Sequence, residues 1–228
     1  MADRRAELEQ LVGGITSSLG GAHRAREIGL AASRRVIRAS GSSIRAVHRQ
    51  SPDEAEALAD DAAASLREAQ DALAPFPAVA FAGFLHDAEK EYAEARLTAA
   101  LVSGAPLPGP ADLDVSGPSW LRGLAEAASE LRRHLLDRLR DGELERGEEL
   151  LAVMDDVYDA LVNVDFPDAI TSGLRRTVDS LRAVLERTRG DVTTTVLQSR
   201  LRDSIERASN SIAPTRRQRR GDPPSAEL

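Results

Sequence analysis

Cysteine is absent from the 228 residues, so the chain has neither a disulfide framework nor a thiolate metal site. Aromatic residues supply only 3% of the sequence, which leaves little of the material that favours strands. Lysine and arginine together number 30, and a single one of these, Lys90, is a lysine. That lone lysine excludes a Gly-x-x-x-x-Gly-Lys phosphate loop, and no Gly-x-Gly-x-x-Gly follows a strand pattern. His23, His48, His86 and His134 are scattered, with no His-x-x-x-His pair, so zinc is not expected. No serine sits in a nucleophile-elbow pattern. No apolar run approaches the roughly 18 residues of a membrane span. The charged start, Met-Ala-Asp-Arg-Arg-Ala-Glu, lacks the apolar core of a secretory signal, and a cytoplasmic protein without a membrane partner is expected.

What is present favours helices. Apolar residues make up 42%, dominated by alanine and leucine, enough for a core. The net charge of −7 argues against a purely electrostatic nucleic-acid binder, although the placement of charge matters more than its sum. Leu8, Leu11, Ile15 and Leu19 recur at helical spacing, and Gly20-Gly21 interrupts or bends that helix. An arginine-rich segment follows, from residue 22 to 50, in which Gly41-Ser42-Ser43 weakens continuity. Arg34, Arg38, Arg45 and Arg49 fall within an arc of roughly 60° if it is one helix. Two readings of that face stand: a solvated basic surface, or a stripe that tracks phosphates. Ser51-Pro52-Asp53-Glu54 reads as a helix start with a capping box. Pro75 and Pro77 end that helix near Leu73. Further helices are predicted over about 79–102, 119–140, 143–163 and from Asp168 to about Ser209, with a loop at 104–118. The tail from Pro214, with Arg216, Arg217, Arg219 and Arg220, reads as disordered and basic. Six or seven helices and no strand pattern define an all-α bundle.

The central predicted helix carries His86-Asp-Ala-Glu-Lys-Glu-Tyr-Ala-Glu-Ala95. Phe81, Leu85, Ala88, Tyr92, Ala95, Ala99 and Val102 mark its packing stripe. Asp87, Glu91 and Glu94 form a parallel row at the shoulder of that stripe, about 100° round the helix. Such a row either wets the edge of the core or holds a cation. Magnesium takes oxygen ligands and keeps several waters, so two or three carboxylates suffice to hold it. Asp141-Gly142-Glu143, at a helix–helix corner, is the other acidic candidate.

Four segments, in order, resemble the translin and translin-associated factor X family over about residues 22 to 190. Glu91-Tyr92-Ala93-Glu94 is similar to the Glu-Tyr-Val-Glu of the catalytic X subunits. Ser129-Glu130-Leu131-Arg132-Arg133 resembles a Gly-Glu-Leu-Met-Arg segment, and Val157-Tyr158-Asp159 a Val-Tyr-Asp. Leu174-Arg-Arg-Thr-Val-Asp-Ser-Leu181 resembles the Leu-Arg-Lys-Arg-Tyr-Asp-Gly-Leu run of translin.

The resemblance implies one translin-like helical domain over residues 1–212, assembled into a closed octameric homo-oligomer that binds single-stranded RNA or DNA. It implies a magnesium-dependent endoribonuclease whose catalytic and metal-binding acids are Glu91 and Glu94, with the third at the glycine corner. There the family has Asp after Gly and this chain has Glu143, with Asp141 as a rival. Asp87 stands one turn upstream. Arg34, Arg38, Arg45, Arg49, Arg96, Arg132 and Arg133 are the candidate nucleic-acid contacts; for Arg132 and Arg133, pairing along the helix with Asp137 and its neighbours is the rival reading. The alternative function is a non-catalytic single-strand binder of the same fold.

Overall fold

A computed structural model describes residues 4–80 and 83–212. The predicted basic tail, 213–228, lies outside them. Nine helices are present among the described residues: α1 (Arg4–His48), α2 (Pro52–Leu73), α3 (Pro77–Ala80), α4 (Phe84–Ser103), α5 (Pro110–Leu113), α6 (Gly117–Arg140), α7 (Leu144–Val162), α8 (Asp168–Thr171) and α9 (Leu174–Ile212). Six are long; α3, α5 and α8 are single turns, and no strand occurs among the described residues. The all-α expectation holds.

Several boundaries differ from expectation, each for a local reason. The glycine pairs in the first segment do not break it: α1 runs unbroken through Gly20-Gly21 and Gly41. Its C-terminal half is pinned along its length by the next helix, and such packing outweighs the propensity cost of a glycine, about 1 kcal/mol. The predicted helix over 79–102 begins instead at Phe84, because Gly83 takes a φ of +96° that a helix cannot contain. The last helix starts at Leu174; Ser172 and Gly173, both at positive φ, cut off the turn at Asp168. Ser51 makes no side-chain cap, so the predicted capping box does not form. Glu54 instead receives Arg49 Nη2 at 2.8 Å.

The helices α1 and α2 form an antiparallel hairpin. Arg35 meets Glu68 at 2.5 Å, and Ser43 Oγ donates to the Ala55 carbonyl at 2.7 Å. Helix α4 lies between this hairpin and α6, and α6 packs in turn on α7 and α9. Consequently α4 is not amphipathic. Leu85, Ala88, Lys90, Tyr92, Ala93, Glu94, Leu97 and Thr98 are all buried, although they cover its whole circumference. The main core gathers Val36, Leu66, Leu73, Leu97, Leu124 and Leu181 around this helix. A second cluster, around Leu135, Leu150, Met154 and Leu185, holds the far ends of α6, α7 and α9 together. No helix of the described residues is long and apolar enough to cross a membrane.

Candidate metal centre at the α4–α6 crossing

The site is made by the closeness of two helices. At Gly123 of α6, a Cβ would stand 2.9 Å from Ala93 Cβ and 3.0 Å from both Glu94 N and Lys90 O. Only glycine lets the two backbones approach this closely. Ala127, four residues on and fully buried, continues the small-residue contact. The N-terminus of α6 is also fixed to α4. Ser116 donates from N at 3.2 Å and from Oγ at 2.6 Å to the buried Glu89 carboxylate, and Ser119 Oγ donates to the His86 carbonyl at 3.1 Å. One turn beyond Gly123, the crossing delivers Glu126 to the acids of α4.

Glu91, Glu94 and Glu126 each contribute one carboxylate oxygen to a group lying within 4.8 Å of one another. Among the described residues this is the set of acids and histidines that converges in this way. Lys90 is inserted among them. Its Nζ donates to Glu91 Oε1 at 2.8 Å and to Glu126 Oε2, and lies 3.6 Å from Glu94 Oε2. Burial opposes the charge on Lys90, but hydrogen bonds to Glu126 and Glu91 and their negative charges outweigh it and raise its pKa above the ordinary lysine value. Glu94, the most buried of the three, is pushed up to about 8, first by burial and then by the charge of Glu126, against the opposing pull of Lys90. With Glu94 protonated below about pH 8, the centre at neutral pH sets two carboxylates, Glu91 and Glu126, against the single Lys90 ammonium and is net negative.

The expected row Asp87–Glu91–Glu94 is split. Asp87 points outward and pairs with Arg122 at 3.4 Å, whereas Glu91 and Glu94 turn into the crossing. The expected third acid, Glu143, is not in the group. It sits at the start of α7, with Oε1 3.2 Å from Arg138 Nη1, and Asp141 shares the same arginine at 3.1 Å. Glu126 takes the third position. Gly123, three residues before Glu126, is a trace of it in the sequence, but Gly142 stands as close to Glu143, so the spacing does not choose between them.

The candidate nucleic-acid contacts divide. Arg34, Arg38, Arg45 and Arg49 are all exposed, the first three on one unbroken helix. Arg133 is exposed as well. Arg96 pairs with Glu56 at 2.9 Å, and Arg132 reaches across to α9, donating to Thr188 Oγ1 at 3.0 Å and Asp191 Oδ2 at 2.8 Å. Below the acids, α6 continues with Glu130, which meets the buried His48 Nε2 at 2.7 Å; that hydrogen bond holds the carboxyl below its ordinary value.

A six-long-helix bundle with a carboxylate centre at a glycine crossing is the class of protein that these features define. Comparison with known proteins places it within that class. The chain is 31% identical to AfC3PO over 82% of its length and 97% of that protein, with a TM-score of 0.76; AfC3PO has been solved alone and in complex with duplex RNA. NeC3PO, at 16% identity over 81% of this chain and 96% of its own, shares the fold with a TM-score of 0.73. An uncharacterised protein of Methanocaldococcus jannaschii is 29% identical over 190 residues, 82% of this chain and 84% of that protein. No family model matches the chain. The chain belongs to the translin family, to which these C3PO proteins also belong.

Proposed function

We propose that this protein binds single-stranded RNA and cuts it with a magnesium ion held by Glu91, Glu94 and Glu126. The observation that carries the reading is the convergence of three carboxylates from two helices. The donor set fits the ion: hard oxygen ligands, few enough to leave room for water. A cation already occupies the acids, in the form of the Lys90 ammonium. The similarity to AfC3PO, solved with duplex RNA, supports nucleic acid as the ligand. Bound there, magnesium would polarise water and offset the charge that develops on the phosphodiester.

The chain's own residues have distinct tasks. Glu91 and Glu126, part-exposed, and the more buried Glu94 would hold the ion through their carboxylate oxygens. Lys90 keeps its proton, so it acts as a counter-charge and not as the base. The exposed Arg34, Arg38 and Arg45 on α1, and Arg49 just beyond its end, supply phosphate contacts. The assembly that suits this reading is a homo-oligomer, the octamer of the family.

The test is cleavage of a labelled single-stranded RNA with magnesium, with and without EDTA, in the parent, Glu91→Gln and Glu126→Gln. Cleavage that needs magnesium and disappears in both variants is the expected result. RNA retained on a gel but uncut by every form would leave the second reading, a non-catalytic binder in which Lys90 permanently satisfies the acids.

A further inference from the structure

A cavity of about 1050 Å³ lies between the α1–α2 turn, α4, the loop before α5 and the α6–α7 corner. It begins at Ala95, the residue after Glu94, so the two sites share a helix. On α6 the link is a row at four-residue steps: Glu126, Glu130, His134, Arg138. The first belongs to the acids and the last two line the cavity. From Glu126 to His134 is about 12 Å along the helix, the rise of about three stacked nucleotides.

The lining is specific in character. One part of the lining, its floor, is small and apolar, from Ala55, Ala59, Ala99 and Val102. The charged part of the lining, its rim, is balanced: Arg96, Arg138 and Arg146 stand with Glu56, Asp112 and Glu143, Arg96 paired with Glu56 and Arg138 with Glu143. A rim balanced in this way gives a polyanion no net attraction. It suits an uncharged flat ring whose edge carries both donors and acceptors, since arginine donates to ring nitrogens and carbonyls while carboxylates accept from amino groups. The buried Nε of Arg138 has no partner among the described residues. Burial, then the charges of Arg138 and Arg146, lowers the pKa of His134, which keeps its imidazole neutral and able to both donate and accept.

We infer that this cavity receives one unstacked nucleobase of the bound strand, a short distance along the chain from the phosphate at the carboxylates. The inference rests on the RNA reading above for the strand, but not on cleavage. Seating a base would hold the strand in register with the acids.

The test uses the full chain in EDTA, where nothing is cut. Affinity is measured by fluorescence anisotropy for a single-stranded RNA and for an abasic strand of equal length. Binding of free adenosine and guanosine is measured by calorimetry. Ala99→Phe fills the floor, with circular dichroism to establish that it folds; Leu107→Ser, on the exposed rim, is the second variant. The parent is expected to prefer the intact strand by about tenfold or more, and Ala99→Phe to remove most of that preference together with nucleoside binding. A preference equal in parent and Ala99→Phe, or nucleosides that bind both alike or neither, would overturn the inference. Nucleosides that bind the parent alone, with no RNA bound by any form, would uphold the cavity and sink the RNA reading. RNA bound and cut in magnesium, with no base preference, would do the reverse.

Discussion

Lys90 is the residue on which the centre balances. Its ammonium is buried against three acids, and removing it leaves like charges facing one another. Lys90→Met should therefore cost about 3 kcal/mol, read as a lowered Tm. If the acids hold a divalent cation, millimolar magnesium or manganese should restore much of that loss, because a ligand that binds only the folded state stabilises it. A loss that no cation relieves would argue against the site. Glu94 gives the pH dependence. Its folded pKa is raised, so protonation favours the folded state, and the stability it lends at low pH is lost as pH rises through about 8. Loading a cation must displace that proton, so metal affinity should climb with pH through the same range. In Glu94→Gln the remaining pH dependence of affinity should flatten, as measured by calorimetry across pH 6 to 9 in steps of about one unit.

At the level of the helices, the centre depends on how closely α4 and α6 approach. Gly123→Ala places a methyl against Ala93 and two backbone atoms, which side-chain rotation cannot relieve. The substitution should destabilise by about 1–3 kcal/mol and weaken metal binding without touching an acid; unchanged metal affinity at lowered Tm would separate the crossing from the site. Much of this level was legible in the sequence. Apolar spacing and the proline and glycine breaks located the six long helices, and Glu91-Tyr92-Ala93-Glu94 located two of the three acids. What spacing could not supply was register between helices. Glu126 and Glu143 are both acids close to a glycine, and only the packing of Gly123 on Ala93 decides which of them meets α4. For the same reason α4 read as amphipathic: its charged Glu89, Lys90 and Glu94 are buried against neighbouring helices and mark no solvent face.

For the whole molecule, the ends of the long helices stand out from the body. Leu8, Leu11, Val12, Ile15 and Leu19 on α1 are 53–64% exposed, and Leu197, Leu201 and Ile205 on α9 are 58–62% exposed. Apolar stripes of this length are costly in water and mark association surfaces. Light scattering should give the mass of several copies, and Leu11→Glu/Ile15→Glu should lower it; a monomer mass for the parent would exclude a closed cage. In the proposed cation site it is Glu126, and not the corner acid Glu143, that supplies the third carboxylate. Manganese binding followed by electron paramagnetic resonance tests it most directly, in the parent, Glu126→Gln and Glu143→Gln. Glu126→Gln should lose bound manganese by tenfold or more, about 1.4 kcal/mol, while Glu143→Gln should bind as the parent does. Loss in Glu143→Gln with binding intact in Glu126→Gln would contradict it.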